Sequence, residues 1–214
     1  MKPIKLFIRK QLLALAVVLS FVSCSKQARV ACMGDSITDG GGQSKSSFYP
    51  VHLNQMLGDG FEVLNFGESG ATMQTDSDKP YWHGKDLLNV FAYKPEIVVI
   101  MLGTNDSKTH NWNAASYERD YQVMIDSLNT LIPKPAIYLC FPPPAYSSAW
   151  AISDSTIRAG VIPIVKRIAT KNNLQTINVY QGMEGMSERF PDGIHPDDKG
   201  RKILAGIVAN AIKK

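Results

Sequence analysis

The chain has 214 residues, 44% hydrophobic and 20% charged, with a formal net charge of +4. Four of its 23 Lys and Arg residues lie within the first 23 positions, where there is no acidic residue, so the remainder balances its 19 Asp and Glu. The apparent basicity belongs to the N-terminal stretch, which removes the charge argument for a nucleic-acid partner.

That stretch, MKPIKLFIRKQLLALAVVLSFVSC, has Lys2, Lys5, Arg9 and Lys10 ahead of an apolar run from Leu12 to Val22. The run is short for a bilayer span and ends at small residues, as an export signal does. Residues 1–23 are therefore expected to be a signal peptide, 24–28 a tether, and 29–214 one folded domain. Phe-Val-Ser-Cys resembles a bacterial lipobox, with Phe21 where Leu is usual. Cys24 is accordingly expected to carry lipid and to hold the protein to the cell envelope or periplasm, the only membrane contact expected, with ordinary signal cleavage and a soluble secreted product as the alternative that Phe21 leaves open. Cys32 and Cys140 sit in apolar runs and read as small core residues. A disulfide between them is not expected.

Five apolar runs follow in order: Arg29–Met33, Phe61–Asn65, Ile97–Leu102, Ala136–Phe141 and Thr176–Val179. IVVIML, the third, is apolar without alternation, as in a strand covered on both faces. Helical patterns occupy Tyr49–Leu57, Gly84–Ala92, Ala115–Leu131, Ser155–Asn172 and Asp198–Ile212. Along the third and just past it, Tyr117, Tyr121, Met124, Ile125, Leu128 and Ile132 recur at three- and four-residue steps and make one apolar face. Strand and helix in alternation predict a parallel sheet wrapped by helices on both sides. Ligands then bind beyond the carboxyl ends of the strands.

The turns after those strand ends are polar and glycine-containing: Gly34-Asp35-Ser36, Phe66-Gly67-Glu68-Ser69-Gly70, Gly103-Thr104-Asn105-Asp106 and, further on, Asp192-Gly193-Ile194-His195-Pro196. A serine hydroxyl needs a base to become a nucleophile, and His195 with Asp192 behind it could supply one. The Ser36 N–H, the Gly67 N–H and the Asn105 side-chain amide are candidate donors to an oxyanion. Each turn also has a purely structural reading: Ser36 as a helix N-cap, Asn105-Asp106 as an Asx turn, Asp192-Gly193 as a plain turn. Asp35 reads as structural, because neighbouring side chains diverge.

GDSIT, NFGESGAT, GTND and DGIHP, in this order, resemble the four blocks of the SGNH hydrolases, also called GDSL esterases. The resemblance covers essentially the whole mature chain. It implies a three-layer α/β/α sandwich with a five-stranded parallel sheet. It also implies Ser36 as nucleophile, Gly67 and Asn105 with the Ser36 N–H in the oxyanion hole, and Asp192 and His195 as the rest of a triad. The first block reads GDSI where GDSL is usual.

Within that family the sequence most resembles bacterial carbohydrate O-acetylesterases, so a small-molecule or glycan ester is the expected substrate. A lysophospholipase or thioesterase, or a glycan-binding lipoprotein without activity, are the alternatives. No cofactor is expected. The Gly40-Gly41-Gly42 run lacks the Lys-Ser/Thr ending of a phosphate-binding loop. His52, His83 and His110 lack ligand spacing and read as surface or loop residues, so no metal site is expected. Trp82, Trp112, Tyr146 and Trp150 fall in predicted loops; they pack those loops down, or some flank the cleft and stack on sugar rings. Phe141–Tyr146, with its three prolines, is expected to form a rigid rim.

Overall fold

A computed structural model describes residues 26–40 and 47–214. The expected signal peptide, Cys24, and Gly41 and Gly42 of the glycine run lie outside the described residues. Five strands, β1 (Ala28–Gly34), β2 (Phe61–Gly67), β3 (Ile97–Met101), β4 (Ala136–Phe141) and β5 (Gln175–Asn178), form one sheet in the order β2-β1-β3-β4-β5. Every neighbouring pair is parallel. The order reverses direction at β1 and β3, so the turns after these two strands flank the crevice where such sheets bind ligands.

Helices cover both faces: α1 (Ser36–Asp39), α2 (Tyr49–Leu57), α3 (Lys85–Tyr93), α4 (Ala114–Leu128), α5 (Asp154–Thr156), α6 (Ile162–Asn172), α7 (Val179–Met183) and α8 (Asp198–Ile212). Side chains on a strand alternate between faces. Ala31 and Met33 of β1 with Val98 and Ile100 of β3 thus join a core under α3, α4 and α6. Val30 and Cys32 with Val99 and Met101 join a second core under α2, α7 and α8. Of the α4 face read from the sequence, Tyr117, Tyr121, Met124, Ile125 and Leu128 are inaccessible to solvent, whereas Ile132 is exposed because α4 ends at Leu128 and the chain leaves the helical track before it. Burial of Met124, Ile125 and Leu128 contributes about 1.5–3 kcal/mol each. Cys32 and Cys140 are buried and free.

Three local features depart from the sequence reading. The helix expected over Ser155–Asn172 contains a π turn at Ile157–Val161, just before Pro163. Proline has no N–H to continue the helical ladder, and the widened turn absorbs the lost bond. Val179 does not end β5 but starts α7, because Asn178 accepts a hydrogen bond from the Gln181 N–H and caps a new helix. His52 is buried, not a surface or loop residue; its Nε2 lies 3.2 Å from Asp198 Oδ1 and links α2 to the start of α8.

Candidate active site

β1 ends at Gly34, where a Cβ would stand 2.1 Å from Thr38 Oγ1 and 2.8 Å from the Met101 carbonyl oxygen. The missing side chain lets the chain turn at once into α1. Asp35 caps that helix, its Oδ1 accepting from the Ile37 N–H at 2.9 Å. The capping role that the sequence allowed for Ser36 belongs to its neighbour, and Ser36 becomes the first helical residue. Asp35 Oδ2 is buried without a hydrogen bond, the nearby Thr104 side chain favouring its charged form without one of proper geometry. Burial pushes the Asp35 carboxyl up to about 6, against the opposing pull of the Ile37 N–H and His195.

Ser36 Oγ lies 2.8 Å from His195 Nε2. The other ring nitrogen, Nδ1, lies 2.8 Å from Asp192 Oδ2. Asp192 Oδ1 accepts from the backbone N–H groups of Ile194 (2.9 Å) and His195 (2.7 Å), which locks the carboxylate in the turn that carries the imidazole. Gly193 sits at φ +81°, and a Cβ there would press to 2.4 Å from Ser147 Oγ. Partial burial works to raise the Asp192 pKa, but the donors from His195 and Ile194 outweigh it and hold the carboxyl below its ordinary range. An ionised carboxylate can only accept, so Nδ1 carries the proton and Nε2 turns a lone pair toward the Ser36 hydroxyl.

Asn105 is buried at the end of β3, its Nδ2 donating to the Ala71 carbonyl at 3.2 Å. Asp106 follows and accepts from the Met73 and Gln74 N–H groups, both at 3.0 Å. Gln74 Nε2 in turn donates to the Asn111 carbonyl at 2.9 Å. The turns after β2 and β3 are therefore one hydrogen-bonded unit. Burial pushes Asp106 up to about 6 in spite of these donors. The sequence reading gave Asp106 only a place in an Asx turn and gave Gln74 no role; the only signal for their pairing was a carboxylate and an amide flanking glycine-containing turns.

Gly67 does not face this site. Its N–H donates to Asn65 Oδ1 at 2.8 Å, and a Cβ on it would stand 2.3 Å from the Asp39 backbone nitrogen. Its lack of a side chain serves the packing of β2 against α1. Three residues on, Gly70 lies at φ +83° and lines the same cleft as Ser36. No hydrogen bond engages its N–H among the described residues. The Ser36 N–H, in the first turn of α1, likewise lacks an intrahelical acceptor.

The cleft has a volume of about 340 Å³, and Ser36, Gly70, Asn105, Lys108, Trp150 and His195 face it. Lys108 was not anticipated; its Nζ lies 3.1 Å from Asp78 Oδ2. Of the four aromatic residues, only Trp150 reaches the cleft. Trp82 packs on the core with its Nε1 donating to the Met73 carbonyl. Trp112 packs 5.6 Å from the Tyr117 ring, and Tyr146 5.1 Å from that of Phe190. Pro142, Pro143 and Pro144 turn inward and are buried, so the rim is made not by them but by the turn at Ala149–Ala151. Among the described residues, no group of three or more His, Cys, Asp or Glu is placed to hold a metal ion.

The sequence profile of the GDSL-like lipase/acylhydrolase family matches residues 32–203, from within β1 to within α8. The chain belongs to this family. It is 40% identical over 206 residues to an acetylxylan esterase of Xylanibacter ruminicola, an alignment that covers 86% of this chain. The chain matches 43% of that curated relative's length. Two solved structures share the fold. One is Est24, a carbohydrate acetylesterase from Sinorhizobium meliloti, with a TM-score of 0.71, 18% identity, and coverage of 87% of this chain and 99% of the other. The other is the M. smegmatis aryl esterase, with a TM-score of 0.70, 20% identity, and coverage of 87% and 98%. This member of the family thus has the five-stranded parallel sheet with helices on both faces that its sequence pattern predicted.

Proposed function

We propose that this chain is a serine esterase that removes O-acetyl groups from carbohydrate. The observation that carries the reading is the unbroken line of hydrogen bonds Ser36–His195–Asp192, opening on a cleft that Asn105 also faces. The 40% identity to an acetylxylan esterase supports the substrate class. So does the cleft, whose apolar wall is largely Trp150 and Ile152, little surface for a long acyl chain.

In the first half-reaction His195 Nε2 takes the Ser36 proton while Oγ attacks the ester carbonyl carbon. The negative oxygen that develops meets the Ser36 N–H, the Gly70 N–H and the Asn105 amide. Asp192 stabilises the imidazolium without taking its proton. The ester C–O bond then breaks, and His195 returns the proton to the departing sugar oxygen. In the second half-reaction water attacks the acyl carbon, His195 accepts the water proton, and the bond to Ser36 Oγ breaks as the serine recovers a proton. Acetate leaves.

The test is steady-state hydrolysis of p-nitrophenyl acetate and octanoate, beside release of acetate from partially acetylated xylo-oligosaccharides. Preference for acetate together with sugar deacetylation supports the reading. Preference for octanoate without acetate release redirects it to a lipid or thioester substrate. The export signal and a lipid on Cys24 belong to the same proposal, which the mass of the mature N-terminus tests. Among the described residues no helix is long and apolar enough to cross a membrane.

A further inference from the structure

Beside the cleft lies a second hollow, of about 480 Å³, and Ile152 is a wall of both. Its lining is unlike that of a packing defect. Thr109, Ser147, Ser148, Ser153, Asp154 and Ser155 line it, and of these Ser147, Ser153, Ser155 and Asp154 have hydrogen-bond partners within the protein. The Thr109 and Ser148 hydroxyls are exposed and engage no hydrogen bond among the described residues. With Tyr146, Ala151 and Ile152 beside these free hydroxyls, the surface is part apolar and part polar, which suits a ligand that carries hydroxyls at its edge and C–H groups on its face, as a sugar ring does.

The two hollows are separated by the turn that carries Trp150. Trp150 and Ala151 both adopt left-handed backbone, at φ 54° and 62°, which costs a residue other than glycine on the order of 1–3 kcal/mol. The surrounding contacts hold the turn there. The Tyr146 N–H donates to the Gly193 carbonyl at 2.7 Å, Ser147 Oγ to the Asp192 carbonyl at 2.9 Å, and the Ser153 N–H to Ser107 Oγ at 3.1 Å. The turn is thus tied on one side to the strand-end loop of Asn105 and on the other to the loop of His195. Its product is a tryptophan that is 58% exposed, set edge-wise 5.3 Å from the His195 ring. An exposed indole beside a reacting group, followed by a hydroxyl-lined hollow, is the arrangement of a flat stacking surface and a neighbouring polar subsite.

We infer that this hollow is a second sugar subsite, and that the substrate is an acetylated oligosaccharide or polymer lying across Trp150, with its ester over Ser36 and a neighbouring sugar over Ser148 and Asp154. The inference rests on the esterase reading and adds the length of the substrate to it.

The experiment compares kcat/KM for acetylated xylose and for acetylated xylo-oligosaccharides of increasing length, in the wild type and in Ser148→Trp, with p-nitrophenyl acetate as reference. Ser148 is exposed and its side chain caps nothing, so a bulky group there fills the hollow without entering a core; a thermal melt of the variant checks this. Wild-type kcat/KM is expected to rise about tenfold from the single sugar to the longer chains, and the ratio of oligosaccharide to p-nitrophenyl acetate kcat/KM to fall by about the same factor in Ser148→Trp. Equal turnover of short and long sugars, or an unchanged ratio in the variant, overturns the subsite and leaves the esterase reading standing. Hydrolysis of p-nitrophenyl acetate with none of the sugars deacetylated overturns the subsite together with carbohydrate as the substrate of the esterase.

Discussion

Ser36 and His195 stand 159 residues apart in the chain, and Ser36 Oγ meets His195 Nε2 at 2.8 Å. The contact joins the helix that starts at the end of β1 to the loop ahead of α8. Asp192 closes the line from within that loop, fixed by the two backbone N–H groups it accepts from. A hydroxyl, a base and an orienting carboxylate share one edge of the sheet because the strands are parallel and their ends coincide.

Replacing Ser36 with Ala should reduce kcat for p-nitrophenyl acetate by roughly four orders of magnitude or more. The melting temperature should stay close to that of the wild type, since the cap of α1 comes from Asp35. Activity within tenfold of the wild type would remove Ser36 as nucleophile.

Asn105→Ala should lower kcat by about 10²–10³ with little change in KM, the mark of a donor that acts on the transition state. A rise in KM at constant kcat would reassign Asn105 to holding the substrate.

Gly67→Ala and Gly70→Ala should separate. At Gly67 the new Cβ meets the α1 backbone, so the loss should show first in stability, on the order of 1–3 kcal/mol or more. At Gly70 the nearest atom outside its chain neighbours is Lys79 Cδ at 3.5 Å, and the strain lies only in the φ of +83°. That variant should remain folded, at a cost of about 1–2 kcal/mol, and lose kcat as its N–H shifts. Melting temperature and kcat measured on both variants decide which glycine serves the site. A Gly70→Ala enzyme with full kcat would count against its role.

Asp35 and Asp106 give stability an uncommon pH dependence. Each is raised from an ordinary 3.8 to about 6, so the folded state binds more protons than the unfolded state between these values. Stability contributed by the neutral carboxyls is then lost as pH rises through that window. Asp78, Asp120 and Asp192, held below their ordinary range, act in the opposite sense at lower pH: their contribution is lost as pH falls through their folded values. Asp35→Asn keeps an acceptor for the Ile37 N–H and removes one of the raised groups. Its stability relative to the wild type should climb between pH 4 and 6, by an amount on the order of a few kcal/mol, and level off above. Denaturant melts at steps of pH measure the difference, and a constant offset would show that Asp35 does not titrate there.

The architecture was legible from local pattern. Alternating apolar runs and helical periodicities define a parallel sheet covered on both faces, since each run must bury two faces and each helix one stripe. The residue types gathered at the strand ends were legible too, because a buried strand has no use for Gly-Asp-Ser or Asn-Asp where it stops. Orientation was not. Gly67 and Gly70 lie three residues apart and carry identical N–H groups; what distinguishes them is that Asn65 and α1 occupy the first, while the second lines the cleft of Ser36. Nothing local separates Trp150 from Trp82 or Trp112 either. It reaches the cleft because bonds from distant loops hold its backbone in a conformation it would not choose alone. Burial of His52 likewise depends on where α8 packs. Sequence pattern determines which faces are apolar and which chemistry sits at the turns, while the direction of a single N–H, ring or carboxylate is settled by contacts between segments far apart in the chain.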